Sequence, residues 1–268
     1  MRLQPPERIA IRHRPLSQSR GFITDLVSLA ESFPLFPVDI DIQLSEVAKC
    51  RLEVPQRIGW SAIFLKAYGH VASRVPELRS WFSRGIRSRL VTASQSVASL
   101  AVNRKEQDGD HLFFAKIPSP NLLSLLDIQR YINYCNQSPV EDVFRRQLQL
   151  ENLPGPLRRL ILWQNINSRS PKRCTRVGTF SLSTLAGMGA SNHGHPTICT
   201  TSLSFTPLNP DGLCRVTLIS DHRVLDGVTA AKALILLKET LNTSIIGELK
   251  NLKNPLERLQ NDAHEDAA

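Results

Sequence analysis

The chain has 268 residues, 41% of them hydrophobic and 21% charged, enough apolar content to bury a sizeable core and too much for a disordered segment. Its net charge of +9 is spread along the sequence with acids interleaved and aromatics sparse, which reads as a solvated basic surface and not as a nucleic-acid-binding stripe. No window approaches the ~20 apolar residues of a membrane span, no apolar stretch near Met1 reads as a secretory leader, and Cys50, Cys135, Cys174, Cys199 and Cys214 read as free thiols of a cytoplasmic protein.

Residues 1–36 form a basic, proline-punctuated arm. Within it, Phe22, Leu26, Leu29 and Ala30 recur at helical spacing over 21–32. Val38, Ile40 and Ile42 alternate with Asp39 and Asp41 over 36–44, the pattern of a half-buried strand. A strong helix is predicted over 60–75, where Ile63, Phe64, Ala67, Tyr68, Val71, Ala72 and Val75 make one apolar stripe that Pro76 stops. Strands over 94–104 and 111–117 flank the polar turn Gln107-Asp108-Gly109-Asp110, a hairpin signal. Helical periodicity returns over 123–135. Residues 148–166 carry Arg158, Arg159 and Trp163 among leucines. Such a segment is compatible with peripheral contact with a membrane surface, and packing on the domain is the simpler reading. The last third is strand-rich, over 178–184, 198–206 and 214–220, with the turn Asn209-Pro210-Asp211-Gly212 joining the last two. Ala230, Ala233, Leu234, Leu237 and Leu241 mark a helix, and 254–268 reads as a tail. With neither regular βαβ alternation nor a long linker, the expectation is a single domain, 1–268, with a mixed sheet and helices gathered on one face.

The densest chemistry stands between the last strand and the helix after it, in Ser220-Asp221-His222-Arg223-Val224-Leu225-Asp226-Gly227. His222 continues the parity of Val216, Leu218 and Ser220. That puts an imidazole at a strand end, where a group titrating near ~6.5 can take a proton from a thiol or hydroxyl. Asp226 is placed to meet the free N–H groups of the following helix, and Gly227 permits the tight turn into it. The string resembles the Asp-His-Arg-Val-x-Asp-Gly signature of the catalytic domains of 2-oxo acid dehydrogenase dihydrolipoamide acyltransferases, in the chloramphenicol acetyltransferase-like superfamily. Gly178-Thr179-Phe180-Ser181-Leu182-Ser183-Thr184-Leu185 is similar to a second stretch of that family. Weaker likeness extends over Phe36-Pro37-Val38-Asp39-Ile40-Asp41, from Lys66-Ala67 to Pro76-Glu77-Leu78, and over Val97-Ala98-Ser99-Leu100-Ala101-Val102.

The resemblance implies a two-layer α/β sandwich of the chloramphenicol acetyltransferase class, a mixed sheet covered by helices, assembled as a homotrimer with active sites between subunits. It implies acyl transfer from acyl-CoA to a thiol or hydroxyl of a small-molecule or lipoyl-type acceptor. His222 would be the general base and Ser183 the oxyanion donor, with Ser181 and Thr184 as competing hydroxyls. Asp226 would be structural, paired with Arg8, Arg12 or Arg14. Coenzyme A is the implied co-substrate, some of the positive charge would steer its phosphates, and no metal is implied. His193 and His195 lack a carboxylate or thiol at ligand spacing and read as loop histidines. The sequence departs from the family in three ways. It has no lipoyl or peripheral-subunit-binding domain, His111-Leu112-Phe113-Phe114-Ala115-Lys116 replaces a Gly-Leu-apolar-Pro strand, and 139–176 is longer. These departures bear on the acceptor. They leave an antibiotic-type O-acetyltransferase and a catalytically idle trimeric scaffold as alternatives.

Overall fold

The computed structural model describes residue 13 and residues 15–106 and 109–253. Its helices are α1 (Gln18–Ala30), α2 (Ser45–Glu53), α3 (Trp60–Arg74), α4 (Leu125–Gln137), α5 (Val140–Val143), α6 (Arg145–Glu151), α7 (Gly155–Asn167), α8 (Lys172–Arg176), α9 (Gly227–Thr240) and α10 (Ile246–Lys253). The strands are β1 (Leu35–Gln43), β2 (Ser80–Ser83), β3 (Arg89–Thr92), β4 (Val97–Glu106), β5 (Gly109–Pro118), β6 (Phe180–Leu182), β7 (Thr201–Phe205) and β8 (Leu213–Asp221).

Six strands form one sheet in the order β1-β8-β7-β6-β4-β5, while β2 and β3 make a separate ribbon. Short β6 runs parallel to both neighbours, β4 and β7, and every other pairing is antiparallel. The sheet is therefore mixed, as expected. One face is apolar in alternate positions: Leu100, Leu182, Leu203 and Leu218 lie in one row, and Ala98 and Phe180 lie in the next. That face packs on α3, α4 and α9. The apolar character of α3 all round explains its place at the centre, with ten of its residues buried. Gly69 lets it approach the loop between β5 and α4, since a Cβ there would stand 2.8 Å from Pro120 Cγ.

The second face is only partly covered, by α1, α6 and α7 over its β4–β5–β6 end. The expectation of helices on one face thus holds for the main core and misses this cover. Much of it comes from residues 139–176, which Pro154 divides into separate helices. A buried ion pair fastens it: Arg158 Nε donates to Asp25 Oδ2 at 2.6 Å, and Arg159 Nε lies 3.2 Å from Oδ1. Of the segment read from sequence as basic and Trp-bearing, Arg158, Leu162, Asn165 and Ile166 are buried, while Leu157, Leu160 and Trp163 are exposed.

The predicted helices over 21–32, 60–75 and 123–135 and the hairpin β4–β5 are observed with small shifts at their ends. The hairpin residues Gln107 and Asp108, the tail 254–268 and the arginines Arg8, Arg12 and Arg14 lie outside the described residues. Helices α2 and α10 and the β2–β3 ribbon were not predicted. No helix among the described residues is long and apolar enough to cross a membrane. All five cysteines are buried and unbridged.

Candidate active site

His222 follows β8 directly and opens the turn into α9. Its backbone N–H donates to Pro34 O at 3.0 Å, and its ring packs on Phe36 with centroids 4.7 Å apart. Phe36 pairs with Ser220 across the β1–β8 ladder, so the imidazole stands on the face that its parity indicated. Nδ1 lies 3.1 Å from Leu225 O. A carbonyl only accepts, so this contact places the ring hydrogen on Nδ1 and leaves the Nε2 lone pair free. His222 is exposed, with a tethered back and an open basic nitrogen.

The neighbouring residues hold this turn. Asp226 caps α9, accepting from Thr229 N at 2.7 Å, and these N–H groups hold its carboxyl below the usual carboxylate range. Among the described residues no arginine meets Asp226; the motif arginine Arg223 instead grips buried Asp221 through Nε and Nη2, the latter at 2.7 Å. The Arg223 guanidinium lies over the Phe33 and Phe82 rings, 4.3 and 4.8 Å from their centroids. This clamp was not read from the sequence, although Asp and Arg at i and i+2 around a strand end could have suggested it.

Ser183 continues β6 by one residue, its N–H donating to Leu203 O at 3.0 Å. Three hydroxyls compete here. Thr184 Oγ1 donates to Phe205 O at 2.9 Å, and Ser181 Oγ donates to Ser202 Oγ at 2.7 Å. Ser183 Oγ has no hydrogen-bond partner among the described residues, so its hydrogen is available to a ligand. The entry to β6 is pinned from behind. Gly178 has φ +101, and a Cβ there would stand 3.0 Å from Ser99 Cβ, a position only glycine fills without strain. Buried Arg173 donates to the carbonyls of Ile166, Gly178 and Ile198 and stacks over Trp81.

Ser183 and His222 do not meet within one chain. Ser183 stands level with Ser204 and Thr217 by the ladder register, and His222 lies five residues beyond Thr217. That is about 17 Å along the strands and about 10 Å across them, roughly 20 Å in all.

Ser183 also lines a cavity of about 390 Å³ between the second sheet face and α1, α6 and α7. His195 enters its wall with Nε2 2.6 Å from Ser202 Oγ and Nδ1 3.4 Å from Asn192 Nδ2. Burial lowers the pKa of His195 and favours its neutral form. The sequence reading of a loop histidine placed it correctly but missed this engagement. Among the described residues no cluster of three metal-ligating side chains occurs.

No family profile and no curated protein sequence matches the chain. Solved structures do. Dihydrolipoamide acetyltransferase of Azotobacter vinelandii superimposes with TM-score 0.65 at 15% identity, over 91% of this chain and 100% of that one. The cubic core of a pyruvate dehydrogenase multienzyme complex gives 0.64 at 16%, over 91% and 100%. The fold is that of the dihydrolipoamide acetyltransferase catalytic domain. A probable dihydrolipoamide acetyltransferase of Listeria monocytogenes agrees, with TM-score 0.63 at 16% identity over 87% of this chain and 94% of that one. The acetyltransferase fold thus accounts for the six-stranded sheet with its helical layer, and at these identities the likeness establishes architecture.

Proposed function

We propose that the chain is a CoA-dependent acyltransferase in which His222 is the general base and Ser183 the oxyanion donor. The observation that carries this reading is the tether of His222 Nδ1 to Leu225 O, which leaves an exposed Nε2 as acceptor at a strand end. The uncommitted hydroxyl of Ser183 supports it. In the Azotobacter vinelandii enzyme, a serine, a histidine and an asparagine four residues after the histidine were investigated for roles in the catalytic mechanism. Here Asp226 stands four residues after His222, and its role is to hold the turn and the start of α9.

The separation of the two side chains calls for a second subunit. The site is built where His222 of one copy faces Ser183 of the next, and a homotrimer closes such a head-to-tail contact. Nε2 takes the proton from an acceptor thiol or hydroxyl, and the resulting nucleophile attacks the thioester carbonyl of acyl-CoA. Ser183 Oγ donates to the tetrahedral oxyanion. Collapse breaks the C–S bond, and the proton on Nε2 passes to the departing thiolate. Exposed Arg146 and Arg176, which line the cavity, suit the phosphates of coenzyme A. The unusual β5 strand and the inserted helices favour an acceptor other than lipoamide.

His222→Ala is expected to abolish transfer from acetyl-CoA to a panel of dihydrolipoamide and hydroxylated acceptors, with the oligomer unchanged in sedimentation. Retention of most of the activity would overturn the assignment.

A further inference from the structure

Four polar residues stand in one line across the second face of the sheet. The ladders pair Lys116 with Ser99, Ser99 with Ser181, and Ser181 with Ser202, so neighbours in the row are about 4.8 Å apart. The three serines are buried, at strand positions where aliphatic side chains would ordinarily pack. The Ser202 end of the row is internally satisfied, because Ser181 donates to Ser202 and Ser202 meets His195. The other end is not. Lys116 Nζ donates to Ser99 Oγ at 2.6 Å and lies 5.5 Å from the centroid of the Phe114 ring. It has no carboxylate partner among the described residues; the titratable groups nearest in effect are Cys199, a buried thiol that burial keeps protonated and neutral, and the Arg173 guanidinium.

Lys116, Ser99 and Ser181 all line the 390 Å³ cavity, whose walls include Phe22, Leu26, Phe114, Leu150, Leu162 and Ile166. No Asp or Glu lines it. An ammonium among apolar walls without a counter-charge is unfavourable, and a bound anion removes that cost. With Lys116 donating to its oxygen, the Ser99 hydroxyl keeps its own hydrogen for the same anion. Lys116 and the Ser99 hydroxyl, with exposed Arg146 and Arg176 also among the lining residues, match an anionic head, while the apolar walls match a hydrocarbon. The volume lies at the low end of the ~300–1,000 Å³ range of small-molecule sites, which suits a single unbranched chain.

We propose that this cavity binds a carboxylate-bearing apolar chain, its carboxylate on Lys116 and Ser99 and its hydrocarbon along α1, α6 and α7. The site stands on the cavity itself and needs no acyl transfer. Calorimetric titration of the whole protein with octanoate, octylamine and octanol tests it. Octanoate is expected to bind, octanol to bind more weakly, and octylammonium to fail. Lys116→Met is expected to weaken octanoate about tenfold, ~1.4 kcal/mol, and to leave octanol unchanged. Leu150→Trp, which fills the cavity, should abolish both. The assignment is overturned if octanoate does not bind at millimolar concentration, or if octylammonium binds equally well. It is also overturned if octanoate binding survives either substitution intact. The three-probe comparison on the unmodified protein holds whether or not the variants fold. Activity enters none of these readouts, so loss of the acyltransferase reading would leave this one standing, and the converse.

Discussion

Lys116→Met should make the protein more stable at neutral pH, which is unusual for the removal of a charged side chain. Burial lowers the Lys116 pKa from 10.5 to about 8, so keeping the amine protonated in the folded state costs about 3 kcal/mol at pH 7. Lys116 retains partial exposure toward the cavity, which makes that figure a ceiling. Methionine removes this cost and fills similar volume, but it forfeits the hydrogen bond to Ser99, worth about 1 kcal/mol. The net expectation is a gain of up to ~2 kcal/mol, a urea midpoint higher by roughly 0.7–1 M. The sign with pH follows from the lowered pKa. The cost is full below pH about 8 and fades as pH rises toward 10.5, because the unfolded chain then holds a proton that the folded chain has released. Urea titrations at pH 7 and above pH 10 therefore find the variant more stable at the first pH and level with or slightly below the parent at the second, where only the lost Ser99 hydrogen bond remains. A variant less stable than the parent at pH 7, or an advantage that persists unchanged at high pH, would refute the reasoning.

Three further substitutions test other parts of the structure. Asp25→Ala leaves buried Arg158 without its carboxylate and should cost about 3 kcal/mol, measured by urea denaturation; a loss under 1 kcal/mol would show that Asp25 does not anchor α1 to α7. Ser183→Ala should lower kcat of the proposed transfer by about 100-fold or more with little change in KM, whereas Thr184→Val, which disturbs a hydroxyl bound to Phe205 O, should leave the rate within a few-fold.

Much of the main core was legible because it rests on local pattern. The stripe from Ile63 to Val75 specifies α3 wherever it packs, and the alternation of Val38, Ile40 and Ile42 marks β1 without knowledge of its partner. The placement of the candidate string was legible for the same reason, since strand, turn and helix are consecutive. Elements with weak periodicity escaped. Helix α2 offers only Val47 and Cys50 to the core, and β2 and β3 are four residues each, too short for alternation to stand out. The polar row was illegible in principle. Lys116, Ser99, Ser181 and Ser202 are scattered over 104 positions, and only the register of four strands lines them up. Nor does any local feature of Asp25 or Arg158 reveal that the two are buried together.

The roughly 20 Å between Ser183 and His222 has a genetic consequence. If both side chains serve one substrate, each chain supplies two half-sites to different neighbours, and damage to one residue spares the other half. Mixed equally and reassembled, His222→Ala and Ser183→Ala chains, each inert alone, would complement one another. By random assortment about a quarter of the sites in a closed ring would draw an intact histidine and an intact serine from different parents.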